Sequence, residues 1–308
     1  MLLFIYCLMQ AFASDNILTL SDPNYLPQQG TISVEFSSRA ARKEIEYEAN
    51  NIRIDQQDYK SNMLDLKILL TPYRRITFGV AGGFDVDREY ELHFGPESSR
   101  YGDRPYQSNS RGFTDPEVIL AYDFEPANKG WVQQLYLQFN PFDVEEAPRR
   151  IYRGGHDVFV EYRFGHFYQN GTFHGKLYSH YFGKKNFYLP GDSRNSLSEP
   201  YTEVGIHLGY SFHLGSRWRL RGTGMFGLSS DYEMSTPDIQ RQADKGHLVG
   251  AELEISYFFN PQFIFGVRGK TESRIYNANN EQLSRDIDYE VEEQSFAFFV
   301  AQEWGPFW

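Results

Sequence analysis

The stretch from Tyr201 to Leu214, YTEVGIHLGYSFHL, puts Val204, Ile206, Leu208, Tyr210, Phe212 and Leu214 on one parity and Glu203, Gly205, His207, Gly209, Ser211 and His213 on the other. Period-two alternation marks a strand with one apolar and one wet face. Strands of soluble sheets run to about 5–6 residues, whereas a tilted strand that crosses a bilayer needs about 9–11. The pattern recurs at Ile32–Phe36, Leu64–Leu70, Ile76 to about Phe94, Val118–Phe124, Leu135–Phe139 and Val158–Phe164. It returns at Phe173–Tyr181, Trp218–Leu228, Val249–Phe259, Phe263–Val267 and Phe296–Trp304, which makes twelve runs in all. Beyond the first run Ile45 and Tyr47 keep alternating up to Asn50-Asn51, which predicts a hairpin that continues past the membrane. No stretch carries a helical period.

The connections alternate in length. TPYRR, EPANKG, YQNG, GS and NPQ are tight, and Asn170-Gly171 is a strong hairpin turn signal. GPESSRYGDRPYQSNSRG, DVEEAPRRIYRGG, GKKNFYLPGDSRNSLSEP and STPDIQRQADKG are long and polar. Sorting of loop lengths by side is the plan of a transmembrane barrel, and an even strand count returns both termini to the short-turn side. The predicted fold is therefore all-β: a transmembrane antiparallel up-and-down β-barrel of twelve strands with short periplasmic turns and long extracellular loops. Trp131, Trp218, Trp304 and Trp308 all fall at the short-turn interface, where an aromatic girdle belongs.

Composition agrees. Mean hydropathy is -0.55, and no run of about 20 apolar residues exists for a spanning helix. A barrel escapes that test because only every second residue meets lipid. Phe and Tyr number 26 and 22, residues that suit strands and interfaces. A net charge of -11 without a basic stripe argues against a nucleic-acid partner. The one cysteine, Cys7, lies in the apolar start MLLFIYCLMQAFAS, which ends in Ala11-Phe12-Ala13. This predicts a signal peptide over 1–13, a periplasmic N-terminal segment over 14–29 and the barrel over 30–308.

The chain closes with AFFVAQEWGPFW. This resembles the C-terminal strand of Gram-negative outer-membrane β-barrel proteins, porins and transporters among them, which ends in an aromatic residue. Phe296, Phe298, Val300, Trp304 and Trp308 match its lipid-facing parity, and Pro306 departs from it. The resemblance implies the bacterial outer membrane as location, its lipid and lipopolysaccharide as surroundings, and the barrel assembly machinery as a partner that reads the terminal strand. More weakly, GFTDPEVILAYDF is similar to a strand opening in transporter-like barrels linked to aromatic-compound degradation.

Other motifs yield to the strand pattern. Gly222 to Gly227 spells G-x-G-x-x-G, but a dinucleotide site needs it between a strand and a helix. Small residues that ease strand curvature are the simpler account. Outer-membrane phospholipases carry His-x-Ser, whereas Ser211 and His213 here stand in the reverse order on the inward parity. The acidic pairs Asp85/Asp87 and Glu290/Glu292, with Glu293, read as solvated charge. No cofactor, metal or catalytic residue is expected.

The inward parity is the informative set. It collects Glu35, Asp65, Lys67, Glu117, Asp123, Glu161, Arg163, Lys176, His207, Arg219, Arg221, Glu252, Glu254, Arg268 and Lys270 as lumen-lining residues. Arg or Lys on the lipid face would cost about 2–4 kcal/mol at mid-membrane. Arg at inward Ser211 or Ser256 is expected to be tolerated. Counting from the turns places Arg221, Glu254 and Arg268 in one cross-strand row, facing an acidic arc of Glu35, Asp65, Glu117 and Asp123. The expected function is a channel passing small polar or charged solutes. The alternatives are a non-conducting barrel with a structural or partner-binding role through its loops, and a barrel enzyme.

Overall fold

The computed structural model describes residues 24–49, 52–94, 106–125, 130–141, 156–168, 170–188, 195–235, 240–243, 245–280 and 285–307. The expected signal peptide, the loop Asp143–Gly155 and Trp308 lie outside them. The elements in chain order are β1 (Ile32–Ala49), β2 (Ile52–Tyr73), β3 (Ile76–Phe94), β4 (Tyr106–Phe113), β5 (Glu117–Glu125), β6 (Trp131–Phe139), β7 (Val158–Tyr168), β8 (Gly171–Phe182) and β9 (Lys185–Tyr188). There follow β10 (Asn195–Ser198), β11 (Tyr201–Leu214), β12 (Trp218–Ser229), β13 (Tyr232–Ser235), β14 (Gln240–Ala243), β15 (Gly246–Asn260), β16 (Phe263–Asn280) and β17 (Arg285–Trp304).

Twelve of these positions form a closed antiparallel wall, since β4 and β5 both pair with β3 and count as one interrupted strand. At the interruption Pro116 has no N–H to donate. Thr114 bridges the gap, donating its backbone N–H to Gly83 O at 2.9 Å while its hydroxyl accepts from Gly83 N at 2.7 Å. The wall shuts where β1 pairs with β17, from Ile32 opposite Trp304 to Glu48 opposite Asp288. Among the described residues no sheet edge is left open in the wall, and an open edge is not tolerated within lipid.

The wall is staggered. The row of directly paired residues that starts at Ile32 passes Leu70, Phe78, Leu120, Leu137, Val160, Ser179, Val204, Leu228, His247, Ile275 and Glu290. It returns to β1 at Glu46, fourteen residues on. A stagger of this kind accompanies a strand tilt of roughly 35–45°.

The outer face is an apolar belt. Phe36, Leu66, Phe78, Leu120, Leu135, Leu177, Leu208, Phe226, Leu253, Phe265 and Phe298 all stand exposed on it. A hydrophobic surface that encircles the molecule is stable only in lipid. On β1 the belt runs from Ile32 to Ala40 and on β17 from Phe296 to Trp304, and Ala40 faces Phe296. That span matches the roughly 9–11 residues a tilted strand needs. The chain is an outer-membrane-type barrel.

Above Ala40 the pattern changes phase. Arg42 and Glu44 now point outward, and Arg42 pairs with Glu44 and Asp58 at 3.2 Å each. Ile45, Tyr276 and Val291 point inward and are buried. Alternation continues through the first hairpin as expected, but the apolar side switches from lipid to interior because the outer face has entered water. Three segments expected to be loops also prove partly strand: β4, the β9–β10 hairpin and β14. Outside the bilayer both faces of a hairpin meet water, so no alternation remained to reveal them. At the other end β17 stops at Trp304, which leaves Pro306 beyond the ladder. The G-x-G-x-x-G stretch lies wholly inside β12.

Candidate functional site

All fifteen residues expected in the lumen stand on the inward parity, between neighbours that face lipid. The structure sorts them into a packed half and an open half.

The packed half is built on β7, β8, β11, β12 and β15. Glu161 is buried between Arg163, with which it pairs closely, and Lys176 at 3.1 Å. Arg219 and Glu254 are both fully buried and pair at 3.1 Å. Arg221 reaches Glu254 at 2.7 Å and also holds Glu252. His174 Nε2 lies 3.1 Å from Thr223 Oγ1, and the His207 and Tyr178 rings meet edge to face with their centres 4.9 Å apart. A buried charge is tolerated when a partner and hydrogen bonds replace its water. Here rows set in register by the sheet supply them: Arg221 stands opposite Glu254, and Glu254 opposite Arg268. The expected Arg–Glu–Arg row is present.

Glycine makes space in this wall. Gly205 and Gly209 on β11 face Tyr178 and His174 in register on β8. A Cβ on Gly205 or on Gly227 would lie 2.6 Å from the Tyr178 hydroxyl, so two glycines seat one tyrosine. That hydroxyl donates to Glu203 at 2.9 Å, and Glu203 also accepts from Arg274 at 3.2 Å. Ser211 and Ser256 are fully buried in the same packed half. Arg at either would have no room, which overturns the expected tolerance: inward parity does not by itself mean a water-filled lumen.

The open half is built on β1, β2, β3, β5, β6 and the facing parts of β15–β17. It borders an open cavity of about 380 Å³ lined by Glu35, Asp65, Lys67, Glu117, Glu252, Arg268 and Lys270, with Arg39, Asp115 and Tyr136 among others. Arg39 pairs with Asp65 at 3.2 Å, and Arg268 reaches Glu254 at 2.9 Å and Glu35 at 3.8 Å. Lys270 pairs with Glu272, and Glu117 accepts from the Gln138 amide. Asp123 lies lower, where its backbone N–H donates to Arg75 O at the periplasmic turn. Reasoning from the alternation passed over Arg39, Glu203 and Arg274, although each shares the inward parity of its strand. Tyr136 and Tyr178 were passed over because an inward aromatic carries no charge to notice.

The periplasmic mouth holds a segment of the chain itself. Asn24 is fully buried; its side-chain amide donates to Phe164 O at 3.0 Å, and its carbonyl accepts from Gln134 Nε2 at 2.8 Å. Tyr25 packs against Phe258, Ile264, Phe299 and Ala301. Leu26 packs against Leu69, Ile119, Ala121 and Tyr136. Phe164 faces lipid and offers only its backbone carbonyl; the other wall residues face inward. The segment expected on the periplasmic side therefore enters the mouth, touching both the β5–β7 wall and the β15–β17 wall. Trp131, Trp218 and Trp304 stand exposed around the same end. Among the described residues no group of three His, Cys, Asp or Glu side chains is arranged to hold a metal.

No family model and no curated protein matches the chain. Among solved structures it is similar to an outer-membrane channel from Pseudomonas putida F1, with a TM-score of 0.56 and 12% identity over 94% of this chain and 100% of that one. It is also similar to the transport unit of the autotransporter AIDA-I from Escherichia coli, with a TM-score of 0.50 and 10% identity over 94% and 95% of the two chains. At such identities the likeness is one of fold, the closed barrel of the bacterial outer membrane.

Proposed function

We propose that this outer-membrane barrel is a channel for small polar or charged solutes, which pass through the open half of its interior. One observation carries the reading: a charged cavity of about 380 Å³ persists in a barrel whose other half is filled by paired side chains. An interior built only as a structural wall has no reason to leave a charged pocket of this size unfilled, since close packing stabilises. Twelve strands lie between small barrels that side chains fill and large ones that hold an aqueous channel. The channel from Pseudomonas putida F1, similar in fold, lends support.

The path toward the periplasm meets Tyr25 and Leu26. Passage requires this segment to shift or to leave a gap beside it. Charged walls then select by sign and size, because an ion that leaves water needs compensating partners along its way.

The test is single-channel recording of the purified full chain in a planar bilayer. Discrete current steps are expected, with a reversal potential that responds to charge changes at Lys67 or Arg268. A barrel that folds, inserts and carries no current, with or without the segment 24–28, overturns the proposal. That result would favour the non-conducting barrel, in which the segment in the mouth and the paired half are purely structural.

A further inference from the structure

Asn24 sits fully buried against the inner wall, where neutral groups hold its two amides. Its side-chain Nδ2 donates to Phe164 O at 3.0 Å, and Gln134 Nε2 donates to its main-chain carbonyl at 2.8 Å. A Cβ on Gly165 would lie 2.4 Å from Asn24 Nδ2, so the bare glycine gives the carboxamide its room. The wall residues come from neighbouring strands: Gln134 and Val132 on β6 stand opposite Arg163 and Gly165 on β7.

The fit leaves polar atoms unmet. Gln134 is 1% exposed, and its Oε1 has no hydrogen-bond partner among the described residues. The Tyr25 hydroxyl is buried without one as well. A buried polar atom that has lost water and gained no partner weakens the state that holds it. Gln134 can donate through Nε2 and accept through Oε1 at once. The C=O and N–H of one extended peptide residue satisfy both ends together, whereas the docked segment satisfies one. The cluster on which Leu26 packs includes Ile119 and Tyr136, and both also line the charged cavity. A solute in that cavity stands beside the segment.

We propose that this pocket is an amide-recognition site, held in the structure by the chain's own Asn24, which a short peptide with a carboxamide side chain takes over by displacing the segment. The site deepens the channel reading and rests on it for the route by which the solute arrives. Each wall group has one task. Phe164 O accepts from the entering side-chain amide, Gln134 pairs with the peptide backbone, and Gly165 leaves the space. A carboxylate of the same shape is rejected, because it sets an anion against the Phe164 carbonyl with no proton to share.

The probe is the blocked tripeptide acetyl-Asn-Tyr-Leu-amide, the sequence of residues 24–26. Calorimetric titration in detergent compares the full chain with a variant in which Asn24, Tyr25 and Leu26 are all Ala, so that the pocket is vacated. The variant is expected to saturate at a single site, and the wild-type chain to bind at least tenfold more weakly because its own segment competes. Acetyl-Asp-Tyr-Leu-amide should bind the variant at least tenfold more weakly than the Asn peptide. Gln134→Leu added to the variant should cost at least tenfold, with heat-dependent gel mobility reporting a folded barrel; should it not fold, the contrast between the two peptides decides. Equal binding of the Asn and Asp peptides, or a folded vacated barrel that takes up neither, overturns the proposal. Current without peptide binding removes the amide site and leaves the channel. Selective peptide binding in a barrel that never conducts removes the channel and leaves the site.

Discussion

Arg221 and Arg268 donate to the same atom: Glu254 Oε2 accepts from Arg221 Nη2 at 2.7 Å and from Arg268 Nε at 2.9 Å. The two arginines lie on strands that do not pair with each other, so one carboxylate on β15 ties β12 to β16. Arg219 holds the other oxygen of Glu254 at 3.1 Å. Removing one member of a buried ion pair costs about 3–5 kcal/mol, because the partner stays buried and unmet. Glu254→Ala, which leaves three guanidiniums around an empty position, is expected to lose stability on that scale. Urea-dependent folding into detergent or lipid would measure it, and an unchanged midpoint would count against the network. The double change Arg221→Glu with Arg268→Glu should move the reversal potential of a conducting barrel toward cation selectivity.

The two faces of the wall predict opposite sensitivity. Leu208 and Ile255 face lipid near the middle of their strands. Leu208→Arg or Ile255→Arg should cost about 2–4 kcal/mol and depress folding yield. Ser295 faces the cavity, and Ser295→Arg should fold normally. Ser256 also faces inward but is fully buried opposite Arg219, so Ser256→Arg should fail as well, through overpacking and like charge. Yields from refolding gels of the four variants separate lipid-facing, cavity-facing and packed positions.

Gly227 and Tyr178 are expected to be coupled. A Cβ at Gly227 meets first the Tyr178 hydroxyl at 2.6 Å and then only looser neighbours beyond 3 Å. Gly227→Ala should therefore destabilise by about 1–3 kcal/mol. Tyr178→Phe, which removes the clashing oxygen, should recover part of that loss, although it gives up the hydrogen bond to Glu203. Full additivity in the double variant would show that the glycine serves some other purpose.

The segment in the periplasmic mouth should limit current. Asn24 anchors it through two hydrogen bonds, and Tyr25 and Leu26 pack against opposite walls. Changing all three residues to Ala removes the amide anchor and both apolar contacts while leaving the wall intact. Single-channel current is expected to rise at least twofold. Equal currents would place the path away from this segment.

Much of the architecture could be read from single strands. Val204, Leu208 and Phe212 had to share a face because lipid accepts only apolar groups, and each residue's face follows from its parity alone. The Arg221–Glu254–Arg268 row was also within reach, since tight turns beside β12, β15 and β16 fix the count from one strand to the next. The extracellular strands were hidden for the complementary reason. In water on both sides Tyr106–Phe113 and Lys185–Tyr188 need not alternate, so their pairing left no trace in the order of residues.

By itself, then, the sequence determined the twelve wall strands, the lipid-facing belt and the inward set of charges, because a bilayer imposes its demand residue by residue. Only the tertiary structure decided which charges fill the interior and which border a cavity. That outcome depends on how far each long side chain reaches and on a stagger that carries the row from Ile32 round to Glu46. Glu35 and Lys67 are direct neighbours by register and still part, one toward Arg268 and the other toward Tyr136. Asn24 meets Gln134 across 110 residues of chain, and only closure of the barrel brings them together. Parity is a local constraint; the meeting of side chains across a closed wall is a global one.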